Sequence, residues 1–376
     1  MATSPAASPP GSVSPTGAAP EVRSGTFDIE LLPARNGDCI WLTYGEPDDL
    51  HHVMFDCGSV EVAAVARERV LSVPRVELFV LTHIDADHIS GAVPLFTDDE
   101  VCDRIDDVWF NGWDQLRGFL SVAQGEAFSD LLARPDRKFR WNHTERGGTI
   151  PPIVTDGVSH PEVVLEGGLK LTVLSPTPSG LQRLAANWRA ALAELNPQKA
   201  MLGRRARPSP PPDPSQLDLA KLDADGPTKD SSIPNLSSIA VLAEFGGRAV
   251  LLTGDAHADV LAGSIRALQE QRGKAGERLR LDALKLAHHG SANATTNDLL
   301  DTIDCAHHLV TSDGSFFYHP DRAAIARVVL RGGPQPTIHF NYRTDLNEFW
   351  ENGDLQSRYG YATEYPDGGE GLALSL

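Results

Sequence analysis

Residues 77–82 read Glu-Leu-Phe-Val-Leu-Thr, and directly after them comes His83-Ile84-Asp85-Ala86-Asp87-His88. A short apolar run of this kind reads as a buried strand. Four side chains able to ligate a divalent cation, His83, Asp85, Asp87 and His88, follow its C-terminal end. Crowding four polar groups against an apolar strand is costly unless something compensates them. The segment therefore constrains the fold: it belongs at the C-terminal edge of a sheet, where open α/β architectures form their sites.

Two later segments repeat the pattern. A strand over 249–253 ends in Gly254-Asp255, and a strand over 281–286 ends in Ala287-His288-His289-Gly290-Ser291. A carboxylate at a strand end can bridge two metal ions, although Asp at that place also suits the N-cap of the helix expected over 258–271. Adjacent residues after a strand point in different directions. One histidine of the pair can then ligate a metal while its neighbour faces substrate or an outer carboxylate. His289 is the slightly better ligand candidate.

The remaining pattern fits a layered α/β sandwich. Strands are expected over 26–32, 39–44, 53–55, 169–174, 238–245 and 309–312, and helices over 62–71, 182–195 and 322–330. Residues 1–25 are rich in Pro, Ser, Ala and Gly, lack the basic and apolar regions of a signal peptide, and read as a disordered tail. One domain is expected over 26–376. The irregular stretch 96–231 reads as insertions within it, including a Pro- and Asp-rich loop over 204–230.

The formal net charge of −18 argues against the broad basic face that anchors duplex nucleic acid. A small phosphate-bearing substrate stays open, because bound divalent ions make a local positive patch. The stretch holding Trp109, Phe110, Trp113, Phe119, Phe128, Phe139 and Trp141 has Arg117, Arg134, Arg137, Lys138 and Arg140 nearby. Such a mixture suits a single-stranded nucleic acid groove, and equally an insertion packing its aromatics onto the sandwich. No apolar run is long enough to span a membrane. Four cysteines without a Cys-x-x-Cys pair point to reduced thiols and a cytoplasmic protein. Nothing in the sequence indicates a protein partner.

Taken together, Asn36-Gly37-Asp38, Phe55-Asp56-Cys57-Gly58, the His83–His88 cluster, Thr253-Gly254-Asp255 and His288-His289-Gly290-Ser291 resemble the metallo-β-lactamase superfamily. The resemblance is nearest to the branch that contains the nuclease domain of the DNA-uptake protein ComEC and its stand-alone relatives. It implies a four-layer αββα sandwich with two divalent metal ions, usually zinc and sometimes manganese. It further implies that His83 and Asp85 serve the first metal and Asp87 and His88 the second, that Asp255 bridges them, and that His288 or His289 completes the set. Asp56 corresponds to a residue that orients ligands, and Asn235 with Ser238 to an Asn-x-x-Ser element before a hairpin. Tyr318-His319-Pro320 resembles a Gly-His-Pro whose histidine faces substrate, with Tyr in place of Gly. Many members supply one more histidine to the first metal. Asn142-His143-Thr144 looks similar but sits in the irregular stretch, and this branch usually lacks that ligand.

A dinuclear centre can deliver hydroxide from water near neutral pH and stabilise charge on a phosphoryl or acyl oxygen. Asp87 or His288 could then shuttle a proton. The expected activity is phosphodiester hydrolysis, on a small phosphodiester or a single-stranded nucleic acid. Hydrolysis of another ester, a lactone or a lactam is the alternative, and a metal-binding scaffold without turnover is a third reading.

Overall fold

The structure, a computed structural model, describes residues 25–112, 123–144, 151–194, 207–211, 213–225, 229–368 and 370–376. Residues 1–24 of the expected disordered tail lie outside these residues, as do Trp113, Arg117 and Phe119.

Among the described residues, fifteen strands are arranged in two sheets. In chain order the first sheet receives β1 (Thr26–Leu31), β2 (Ile40–Glu46), β3 (Asp49–Phe55), β4 (Leu78–Val80), β5 (Asp107–Trp109) and β6 (Arg140–Trp141). The second receives β7 (Glu162–Val164), β8 (Lys170–Ser175), β9 (Ala240–Phe245), β10 (Arg248–Leu252), β11 (Leu279–Lys285), β12 (Ile303–Val310), β13 (Thr337–Phe340) and β14 (Ala362–Glu364). The last strand, β15 (Leu372–Ser375), returns to the first sheet and pairs antiparallel with β1. β3 to β6 run parallel, and so do β10 to β14.

Alternation along the strands sorts side chains between layers. Phe27, Ile29 and Leu31 of β1, Val53 and Phe55 of β3 and Leu78 and Val80 of β4 meet Leu171, Val173, Val241, Val250 and Leu252 of the facing sheet in one buried cluster. Trp41, Met54 and Phe79 point the other way, onto the helix Val62–Leu71. On the far side of the second sheet, Leu251, Leu284 and Ile338 pack against the helix Ala258–Gln271. That helix buries Ala258, Leu261, Ala262, Ile265 and Leu268, the i, i+3, i+4, i+7 spacing of an amphipathic face. The result is the four-layer αββα sandwich.

The region expected to be insertion does more than decorate this core. It supplies β5 and β6 to one sheet and β7 and β8 to the other. Trp109, Phe110, Phe128, Phe139 and Trp141 are all buried. Arg137 is buried too, bonded to Asp99 and to the Phe96 carbonyl. These described aromatics fill the interior and line no groove.

Candidate metal centre

The central candidates from the sequence lie near the C-terminal ends of parallel strands. Asp56 follows β3, His83 follows β4, Asp255 follows β10, and His288 and His289 follow β11. Two glycines let these loops close on one another. A Cβ on Gly37 would sit 1.7 Å from the Asp87 carbonyl oxygen, so no side chain fits where the Asn36-Gly37-Asp38 turn presses on the His83–His88 segment. Gly254 has φ +48°, and its Cβ would lie 2.4 Å from Ser238 Oγ. That hydroxyl accepts from the Asp255 backbone N–H at 2.9 Å, and the His288 N–H donates to the Gly254 carbonyl at 3.2 Å. Asp56, His288 and His289 take left-handed φ values of +55°, +51° and +55°. Such backbone costs about 1–3 kcal/mol per residue and clusters at functional sites.

The imidazoles converge on Asp255. His88 Nε2 is 3.4 Å from its Oδ1; His83, His289 and His288 place Nε2 3.9, 3.8 and 3.9 Å from its Oδ2. Asp85 stands 3.6 Å from His83 Nε2, and Asp87 3.3 Å from His289 Nε2. The Nε2 atoms of His83, His88 and His289 are buried and have no hydrogen-bond partner.

Their other ring nitrogens are all held. Asp56 lies 2.7 Å from His88 Nδ1 while accepting from Thr82 N–H at 2.7 Å and Thr82 Oγ1 at 2.8 Å. Thr82 Oγ1 is 3.0 Å from His83 Nδ1. Asp38 and Thr311 each lie 3.1 Å from His289 Nδ1. His288 Nδ1 sits 3.2 Å from Asp230, whose Oδ2 also accepts from Asn235 Nδ2 at 2.9 Å. Fixing one imidazole nitrogen turns the other inward as a lone-pair donor, which is how proteins orient histidines toward metals. Orphaned buried nitrogens around a carboxylate are what a cation would satisfy, so the donor set fits a divalent metal.

The electrostatics agree. Burial opposes charge on Asp87, His88, Asp230, Asp255 and His289, yet mutual attraction overrides it. The neighbouring carboxylates, Asp255 foremost, hold His88 well above the usual histidine range and His289 up at about 9. His289 and His88 in turn hold Asp87 down at about 2 and Asp255 well below the usual carboxylate range. Asp230 is likewise low, at about 2, against burial and with His288 as its hydrogen-bond partner.

The structure thus gathers His83, Asp85, Asp87, His88, Asp255, His288 and His289, with Asp56, Asn235 and Ser238 behind them. His289 is the more enclosed of the pair and His288 the more open. His319 reaches the periphery, its ring 5.3 Å from that of His288. His143 goes elsewhere: its Nδ1 lies 2.5 Å from Asp107 and its ring 4.8 Å from Trp109. Three participants are given no role by the sequence. Asp38 reads only as part of a turn, Asp230 closes a loop that reads as linker, and Lys285 sits inside an apolar strand. Lys285 is fully buried; its Nζ donates to the Gly254 carbonyl at 2.9 Å, pairs closely with Asp38 Oδ2 and stands 3.5 Å from Asp255 Oδ1.

A histidine and aspartate cluster of this kind at the mouth of an αββα sandwich is one that could hold a metal ion. The chain belongs to the metallo-beta-lactamase superfamily, whose model it matches over residues 33–310. Solved structures similar to this chain include the metallo-beta-lactamase fold protein YhfI from Bacillus subtilis, at 10% identity and TM-score 0.41, covering 94% of this chain and 100% of that one. Zn2+-bound PqqB from Methylobacterium extorquens matches at 12% and 0.41, covering 93% and 100%. A putative metal-dependent hydrolase from Parabacteroides distasonis matches at 11% and 0.34, covering 92% and 98%. None of the curated proteins matches the chain.

Proposed function

We propose that the protein is a dinuclear metal-dependent hydrolase of phosphodiester bonds, in the branch of the ComEC nuclease domain. The observation that carries the metal reading is the set of three buried, partnerless Nε2 atoms around Asp255. His83 and Asp85 would hold one ion and Asp87, His88 and His289 the other, with Asp255 shared. Bound there, two divalent ions, zinc or manganese, supply Lewis acidity and lower the pKa of a coordinated water. The aspartate-rich donor set makes a hard, oxygen-bearing site, and the charged oxygens of a phosphodiester suit it. The motif resemblance supports the same substrate class.

The chain's own residues do the positioning. Asp56, Asp38 and Thr82 lock the imidazoles, and Ser238 fixes the Asp255 backbone. His288 is the partly open member, with Nδ1 held by Asp230 and Nε2 turned inward, so it can carry a proton between the reacting centre and solvent. No helix of the described residues is long and apolar enough to cross a membrane. The four cysteines are buried and unbridged, and we place the protein in the cytoplasm on that ground.

The test is metal analysis of the purified protein paired with turnover of bis-p-nitrophenyl phosphate and of single-stranded DNA, with and without chelator. The expected result is about two equivalents of metal, chelator-sensitive turnover, and its loss in Asp87→Ala. Turnover of carboxyl esters or lactones alone would move the protein to that class. Metal binding with no hydrolysis under zinc, manganese, magnesium or nickel would make it a scaffold.

A further inference from the structure

Lys285 stands out among the buried groups. It lies in β11 two residues beyond Ala283, whose side chain is in the inter-sheet core, so the pleat aims Lys285 between the sheets as well. Its two carboxylate partners come from opposite sheets. Asp38 belongs to the loop between β1 and β2, and Asp255 follows β10. An unpaired ammonium buried like this would be strongly disfavoured, so the two carboxylates are what keep it there.

Asp38 decides what the arrangement does. Asp38, His88, Asp255 and His289 each offer a ligand atom, all within 4.8 Å of one another, so by proximity alone Asp38 belongs to the metal shell. Its oxygens are occupied, however. Oδ1 accepts from Thr311 Oγ1 at 2.5 Å and lies 3.1 Å from His289 Nδ1, and Oδ2 takes Lys285. Oδ1 is thus taken up by two partners and Oδ2 is tied to the ammonium, which sets the carboxylate against His289 rather than toward a cation. It orients His289, and Lys285 in turn holds it. The same ammonium reaches Asp255 Oδ1 and the Gly254 carbonyl beside it.

Resting on the dinuclear reading, we propose that Lys285 is a positioning residue of the metal centre, a fixed internal cation that ties Asp38 and Asp255 together across the two sheets. One side chain sets both the bridging carboxylate and, through Asp38, the direction of the His289 lone pair. Asp38 is an orienting group and not a ligand.

The experiment titrates metal-free protein with Co2+ and Zn2+ against a chromogenic chelator, following the Co2+ absorption spectrum, with folding checked by circular dichroism. Lys285→Met is expected to weaken binding about 10–100-fold, the usual loss when an outer partner of a ligand is removed, and to shift the Co2+ spectrum. A folded variant that binds as tightly as wild type or tighter, with the wild-type spectrum, overturns the proposal. Should Lys285→Met not fold, Asp38→Asn carries the test, since it breaks the same link without leaving an uncompensated anion. An orienting Asp38 gives weaker binding at unchanged stoichiometry, whereas loss of an equivalent of metal makes Asp38 a ligand and overturns the idea. Wild-type protein that binds no metal would instead remove the dinuclear reading itself.

Discussion

Two groups of histidines occupy this protein, and they behave in opposite ways. At the strand ends, His83, His88, His288 and His289 surround Asp255 and are backed by Asp38, Asp56 and Asp230. Farther along the second sheet, His307 and His308 of β12 and His339 of β13 form another group. There His307 Nδ1 lies 2.9 Å from His339 Nε2, and the nearest carboxylate is the exposed Glu364, 3.1 Å from His339 Nδ1. His308 is buried with no partner on either ring nitrogen. Burial, aided by the neighbouring histidines, pushes His308 down to about 3 and His339 to about 4, while His289 is held up at about 9. Burial is similar in both groups. The carboxylates make the difference, and among the described residues the first group alone brings ligand atoms together closely enough for a metal.

The comparison sharpens most where a carboxylate can be taken away. Asp56 touches His88 and Thr82 and no other imidazole. Asp56→Ala should weaken metal binding about 10–100-fold, because His88 loses the partner that fixes its ring. Isothermal titration with zinc measures this directly. An unchanged affinity would mean that strand geometry alone orients His88, and the contrast between the two groups would lose its cause.

Much of the first group is legible in the amino-acid sequence. The apolar run ending at Thr82 and the ligand types after it place one half of the centre, and the ends of β10 and β11 place the other. The helices Val62–Leu71 and Ala258–Gln271 have the expected bounds, since their apolar spacing spans several turns. What the sequence hides shares a physical reason. β5 has three residues and β6 two, too few for a period of two to show. Asp230 sits at the end of a proline-rich run, and only tertiary contact with His288 gives it a role. Lys285 lies in an apolar strand, where nothing local reveals that two carboxylates from different sheets await it. Asp38 reads as a turn residue because its partners, Thr311 and His289, lie more than 250 residues away.

The second histidine group predicts a pH effect of its own. The folded His308 value, about 3, lies below the roughly 6.5 of an exposed histidine. The unfolded chain therefore takes up the proton first as pH falls. Stability attributable to this site is constant above pH ~6.5 and declines as pH drops toward about 3, by about 1.4 kcal/mol, or tenfold in the unfolding constant, per pH unit. Denaturant unfolding of wild type and His308→Phe between pH 6 and pH 5 isolates the contribution. A difference between the two proteins that stays flat with pH would show that His308 is not held neutral by burial.

His143 belongs to neither group and offers the smallest expected change. It has one carboxylate, Asp107, and one aromatic neighbour, Trp109, and its own Nε2 is buried without a partner. A single carboxylate pairs a histidine, whereas the metal centre needs several of each. His143→Ala should therefore leave zinc affinity and stoichiometry within about twofold of wild type, the usual independence of sites that share no contacts. Its effect should fall on stability instead, because Asp107 stays buried after losing its partner. Thermal unfolding of the metal-free protein reads the second quantity and chelator competition the first. A drop in metal stoichiometry with stability unchanged would transfer His143 to the first group, and the rule that several converging carboxylates mark the cation site would then need a longer reach than hydrogen-bond contact.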